Sequence, residues 1–147
     1  MNIKEFMAQD HKDCDQLFAN AENAAATEDW DTATQAFNDF INAMERHLGM
    51  EENELFPAFE TATGMTMGPT EMMRMEHGQM RELFSEMKEA IENKQSDDYL
   101  GAGETLLILM QQHNMKEEQI LYTMLDQHLS KDSERFHQTF QDMGNSQ

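Results

Sequence analysis

Apolar residues recur along the chain at alternating steps of three and four. Ile3, Met7, Cys14, Phe18, Ala21 and Ala25 form one such stripe, with His11 filling one of its slots. A second runs through Ala33, Phe37, Phe40, Ile41, Met44, Leu48, Leu55, Ala58, Phe59 and Ala62. A third takes Met73, Met80, Phe84, Met87 and Ile91, and a fourth Leu106, Leu107, Met110, Leu121, Met124 and Leu125. Each predicts the buried face of an amphipathic helix. The breaks lie between the stripes. Thr27-Glu28-Asp29-Trp30 separates the first two, with Asp29 or Asp31 as N-cap. Gly64 ends the second, Gly68-Pro69 precedes the third with Thr70 as a capping residue, and Asn93 to Asp98 separates the third from the fourth. Pro57 sits inside the second helix and predicts a bend there. Asp132 to Met143 predicts a short fifth helix. Long helices joined by short loops predict an all-α fold, an antiparallel up-down four-helix bundle.

Composition supports this reading. Among 147 residues there is no valine, while Ala, Leu, Met, Glu and Gln are plentiful, a set that favours helices and starves strands. The length suits one domain, 1–147. Charge narrows the partners: 10 Lys+Arg against 29 Asp+Glu gives −19, which disfavours nucleic acid and anionic membranes. The lone Cys14 allows no intrachain disulfide, and MNIKEFMAQDHK holds no apolar leader stretch, so a cytoplasmic protein is expected. The longest strong apolar run, Leu106 to Met110, is too short to span a membrane.

A shift of 66 residues aligns the chain with itself. Met7 lands on Met73, Asp10 on Glu76, His11 on His77, Leu17 on Leu83 and Phe18 on Phe84. Further on, Met44 lands on Met110, His47 on His113, Glu51 on Glu117, Glu52 on Glu118, Leu55 on Leu121 and Phe56 on Tyr122. One offset for two helix pairs predicts two half-repeats, about 3–63 and 69–129, related by a pseudo-twofold axis. His128 and His137 have no partner at this offset.

The four paired histidines interrupt the apolar stripes rather than the polar faces. Glu51 and Glu117 lie four residues after His47 and His113, so each glutamate points the same way as its histidine. Burying four imidazoles and two carboxylates without partners would cost several kcal/mol per charged group. A metal removes that cost, and this donor set suits two first-row ions bridged by the carboxylates. The candidate metal ligands are therefore His11, His47, Glu51, His77, His113 and Glu117. Among the 15 methionines, Met7/Met73 and Met44/Met110 flank these positions and are expected to line a dry pocket. The tracts Met65-x-Met67 and Met72-Met73-x-Met75 read as core filler rather than as a copper site. Cys14 reads as a small buried residue, and Tyr122 as core or gate rather than ligand.

His11, His47-x-x-x-Glu51, His77 and His113-x-x-x-Glu117 resemble the hemerythrin-like, or HHE cation-binding, domain family. The neighbours Glu51-Glu52 with Leu55-Phe56-Pro57, and Glu117-Glu118 with Ile120-Leu121-Tyr122, carry the likeness further. The resemblance implies a non-haem diiron centre, two Fe ions bridged by carboxylates and an oxo or hydroxo group. It also implies a small partner, O2, NO or peroxide, which the protein binds or senses. The alternative it implies is an iron-handling protein that donates iron to damaged centres under nitrosative or oxidative stress. Turnover of the peroxidase or NO-reductase type is a third reading. No Cys-containing segment precedes His11, which tilts the expectation towards sensing, and without a fused output domain a signal would pass to a separate, unknown protein partner. Oxygen-carrying hemerythrins resemble His-x-x-x-His on the third helix, where this chain has Arg81, and place Asp five residues after the last-helix histidine, where it has Glu118. Reversible O2 carriage is not expected. Arg81 is expected to point at the site and to pair with Asp15, its partner at the 66-residue offset. Ferritin-like Glu-x-x-His occurs only at Glu134 to His137, away from the paired histidines.

Overall fold

The computed structural model describes residues 1–145, all-helical with no strand among them. Helix α1 spans Ile3–Ala26, α2 Trp30–Met50, α3 Phe56–Thr63, α4 Pro69–Glu92, α5 Ser96–Lys116, α6 Tyr122–Leu129 and α7 Ser133–Asn145. A π-helical turn, Glu51–Leu55, carries α2 straight into α3; a second, Glu117–Leu121, carries α5 into α6. The bundle therefore has four rods: α1, α2–α3, α4 and α5–α6. Helix α1 packs along α2 and α4 along α5, while α1 against α5 and α2 against α4 close the ring. Helix α7 lies across α1 and α2.

Element bounds repeat at the offset read from the sequence: 3–26 becomes 69–92, 30–50 becomes 96–116, 51–55 becomes 117–121 and 56–63 becomes 122–129. The corners repeat as well. Glu28 (φ 59°) and Lys94 (φ 53°) both take the left-handed conformation. Each lets the next residue's N–H reach back along the helix, Asp29 to Ala24 and Gln95 to Ala90.

Caps explain most of the helix starts. Asn2 Oδ1 accepts from Glu5 N at 2.8 Å while Glu5 accepts from Asn2 N, a reciprocal capping box. Asp126 on α6 takes up the next two amides, Ile3 and Lys4, at 2.8 and 3.1 Å. Asp29 caps α2 through Thr32 N, and Gly64 (φ 73°) closes α3. Thr70 is not a cap. Helix α4 begins with Pro69 at its first position, which needs no amide partner there, and the buried Thr70 hydroxyl donates to Glu60 at 2.7 Å.

Pro57 produces no break of its own. It falls at the second position of α3, just after the π turn, and the matching turn before α6 has Thr123 in that place. The π turns shift the buried face instead. One extra residue per turn rotates the helix beyond it, so Phe56 and Tyr122 are fully buried, Ala58 and Met124 are half-buried, and Ala62 is exposed.

Two apolar clusters fill the bundle. One, towards the α1–α2 and α4–α5 corners, holds Phe18, Phe37, Phe40, Phe84, Met44, Met80, Met110 and Tyr99. The other, capped by α7, holds Ile3, Phe6, Met7, Met73, Leu55, Phe56, Phe59, Leu121, Tyr122 and Phe136. The polar centre lies between them. Of the methionine tracts, Met65, Met67, Met72 and Met75 are exposed, and only Met73 serves as core.

Candidate metal centre

The six candidate ligands converge, although they come from four rods. His11 on α1, His47 on α2, His77 on α4 and His113 on α5 are all buried, as are Glu51 and Glu117, the first residues of the two π turns. Donor atoms of Glu51, His77, His113 and Glu117 lie within 4.8 Å of one another, and those of His11, His47 and Glu117 do likewise. Glu117 belongs to both groups. His128 and His137 stand apart, edge-on to Phe59 and stacked on Phe6.

Each histidine is held from behind by a carboxylate. Asp10 takes His47 Nδ1–H at 2.8 Å, and Glu76 takes His113 Nδ1–H at 2.8 Å. Glu52 takes His77 Nδ1–H at 2.7 Å, and Glu118 takes His11 Nδ1–H at 2.7 Å. An ionised carboxylate only accepts, so Nδ1 carries the proton and every Nε2 faces the centre as a potential donor to a cation. The four contacts form two pairs related by the 66-residue offset. The second glutamate of each Glu-Glu pair thus orients the histidine of a facing helix, while the first turns inward.

Cations anchor three of these carboxylates. Arg46 lies 3.8 Å from Asp10, Lys116 bonds Glu76, and Arg81 Nη1 bonds Glu52 at 2.8 Å. Arg46 is itself fixed by α7, stacking 3.7 Å over the Phe140 ring and donating to its carbonyl. Arg81 also pairs with Glu45 and does not meet Asp15. It clasps the α2–α4 seam and acts on the centre at one remove, through Glu52. Glu118 has no cation partner among the described residues; Asp15, where Arg81 stands in the other half, faces it instead. Burial and that neighbouring charge push the Asp15 carboxyl up.

The interior fits a cation. Four of its buried polar atoms have no hydrogen-bond partner: Glu51 Oε1, His77 Nε2, His113 Nε2 and Glu117 Oε2. They come within 3.2 Å (His77 to Glu51) and 3.3 Å (His113 to Glu117) without hydrogen-bond alignment. Unpartnered buried groups cost about 1–3 kcal/mol each, more when charged, and a bound ion satisfies all four together. The charges respond to one another. Burial opposes protonation of His113, but Glu117, Glu51 and Glu76 outweigh it and push its pKa up to about 9. Burial, then the adjacent Glu117, raises the Glu51 carboxyl.

Tyr122 enters the centre itself. Its hydroxyl stands 2.8 Å from Glu51 Oε2, 2.9 Å from Glu117 Oε1 and 3.2 Å from Nε2 of both His11 and His47. Burial and the two glutamates hold the phenol well above its usual range. Beside the centre, towards the first apolar cluster, lies an enclosed cavity of about 10 Å³. Cys14, Met44, Leu48, Met80, Met110 and Asn114 line it, with His11, His47 and His113 at its floor. That is the threshold for one water-sized guest. Met44 and Met110 line this space; Met7 and Met73 pack in the other cluster.

A buried set of four histidines and two glutamates across four antiparallel rods defines a histidine–carboxylate cation-binding helical bundle. The chain belongs to the hemerythrin family: the Hemerythrin HHE cation binding domain matches residues 2–125. It is 28% identical over 131 residues to an uncharacterized hemerythrin-like protein of Schizosaccharomyces pombe, covering 88% of this chain and 62% of that protein. The chain thus spans less than two thirds of the length of that relative. No solved structure matches it. No helix among the described residues is long and apolar enough to cross a membrane.

Proposed function

We propose that the centre holds two iron ions and binds or senses a small ligand such as O2, NO or peroxide. His77 and His113 would hold one ion, His11 and His47 the other, with Glu51 and Glu117 shared between them. Iron bound in this way supplies redox and ligand-binding chemistry. The chain's own residues fix the imidazoles, exclude bulk water and limit what can enter. The carrying observation is the set of four unpartnered buried donor atoms beside a methionine-lined cavity of about 10 Å³. A space that small, at the threshold for a single water, favours a very small ligand over a large one. The iron-handling reading draws on the charge of −19, which concentrates cations at the surface. The buried, doubly supported ligands favour retention over release. Loading with ferrous iron under anaerobic conditions, then exposure to O2 or NO, tests the reading. About two irons per chain and an altered visible spectrum are expected. A reproducible single zinc, or a spectrum indifferent to both gases, would contradict it.

The two seams flanking the centre differ, and the difference suggests the way in. Between α2 and α4, Arg81 clasps Glu45 and Glu52, Leu48 is buried, and the cleft of about 300 Å³ along this seam touches none of the six candidate ligands. Between α5 and α1, the matching residues are Gln111, Asp15, Glu118 and Asn114, and a cleft of about 540 Å³ opens there. Asn114 and His11 line both this cleft and the inner cavity. Asn114→Leu, which copies the closed seam, is expected to slow NO binding about tenfold or more in stopped flow and leave iron content intact. Unchanged rates would place the entrance elsewhere.

A further inference from the structure

Pseudo-symmetry fails at one pair of positions that touches the centre. At the 66-residue offset Tyr122 matches Phe56. Their rings take equivalent places: Tyr122 stacks on His11 with centroids 5.6 Å apart and a 26° tilt, and Phe56 stacks on His77 at 5.8 Å and 22°. Each is fully buried at the first position after its π turn. They differ by one hydroxyl, and that hydroxyl divides the centre.

On the Phe56 side the four inward atoms are the ones left without partners. On the Tyr122 side the equivalent atoms, on His11, His47, Glu51 and Glu117, all lie 2.8–3.2 Å from one oxygen. Adjacent donors on a single first-row ion, each about 2.1 Å from it, stand roughly 3 Å apart. The Tyr122 oxygen is therefore spaced from its four neighbours as a fifth donor to the same ion would be. With each imidazole neutral and its proton on Nδ1, all four neighbours only accept, and a hydroxyl carries one proton, so hydrogen bonding cannot satisfy them at once.

We infer that Tyr122 is a metal ligand through its phenolate oxygen, which makes the two ends of the centre unequal. The inference rests on the diiron reading. As the oxygen–metal bond forms, the phenolic proton is released to solvent, as happens for any ionisable ligand that a metal takes up. One ion then has five protein donors: His11, His47, Glu51, Glu117 and Tyr122. The other has four, His77, His113, Glu51 and Glu117, and keeps the room for an added ligand. The small cavity borders both ends of the centre, His11 and His47 of the five-donor ion as well as His113 of the four-donor one.

The chain has only two tyrosines, which makes the test decisive. Tyr99 is buried in the far apolar cluster against Phe37. Protein loaded with ferrous iron, oxidised in air and counted for metal should show a visible phenolate-to-ferric charge-transfer band. Excitation in that band should enhance tyrosinate ring vibrations in the Raman spectrum. Tyr122→Phe should abolish both signals while the chain stays helical and still binds iron; Tyr99→Phe should leave them unchanged. Phe56→Tyr should about double the band. Two irons per chain with no tyrosinate vibrations would overturn this inference and leave the diiron reading standing. So would vibrations that survive in Tyr122→Phe. A chain that takes up no iron at all, a result read from the metal count alone, would overturn both.

Discussion

Glu117→Gln should empty the centre of metal, from about two ions per chain to almost none after dialysis. Glu117 is the residue common to both groups of converging donors. Its Oε1 lies 3.1 Å from His11 Nε2 and its Oε2 3.3 Å from His113 Nε2, so one side chain spans both ends. Glutamine keeps the volume and removes the charge that two cations need. A residue that only orients a ligand is worth about 10–100-fold in metal affinity, so a shared ligand should be worth more than that. Glu51→Gln should do nearly as much. Glu52→Gln and Glu118→Gln supply the contrast. They loosen His77 and His11 from behind, lower affinity by about 10–100-fold, and fill again with excess metal. Metal content by elemental analysis, alongside helicity by circular dichroism, separates the cases. If Glu118→Gln empties the protein and Glu117→Gln does not, the inward-facing residue has been misidentified.

Much of this architecture is legible in the chain. The helices announce themselves because their buried faces keep a strict three-and-four spacing, and the six donors because polar residues occupy apolar slots twice over at one offset. The rest depends on contacts between helices. Asp10, Glu52, Glu76 and Glu118 are visible as repeat partners, Asp10 with Glu76 and Glu52 with Glu118. Their role as supports appears only when each is set against a histidine on another rod. Tyr122 and Phe56 fall outside the apolar stripes because the π turns insert a residue, and a count at constant period drifts off the true buried face after Leu55 and Leu121. The repeat already pairs Phe56 with Tyr122 and reads Tyr122 as core or gate; what the sequence does not show is that its hydroxyl lies among the four donors on one side of the centre. The corners at Glu28 and Lys94 adopt left-handed backbone without glycine, so no glycine marks them. Arg81 sits one turn past His77 as the spacing requires, yet its long side chain finds two glutamates before it reaches the centre.

Removing metal should cost the protein more than most single substitutions could, and the loss should grow with pH. Metal-free, the four unpartnered atoms stay buried without partners, each at about 1–3 kcal/mol. A ligand present at a thousand times its dissociation constant adds about 4 kcal/mol to stability. At about 2–4 °C per kcal/mol for a domain of roughly this size, the loaded protein should melt about 8–16 °C above the metal-free form. Protons serve as a partial substitute for the metal. Burial works against protonation of His11, His77 and His113, but the surrounding glutamates raise all three, His113 to about 9. A histidine whose folded pKa exceeds its unfolded value of about 6.5 stabilises the fold fully below that value. The contribution fades as pH rises through the folded pKa. The raised Glu51 carboxyl acts in the same direction, since folding is opposed once pH exceeds its unfolded value. Metal-free protein should therefore weaken between about pH 6.5 and 9, while protons compete less and less with metal in the loaded form. Melting curves with and without metal at both ends of that window test the expectation. A gap that narrows as pH rises would show that the buried imidazoles and glutamates are not the groups that the metal and the protons share.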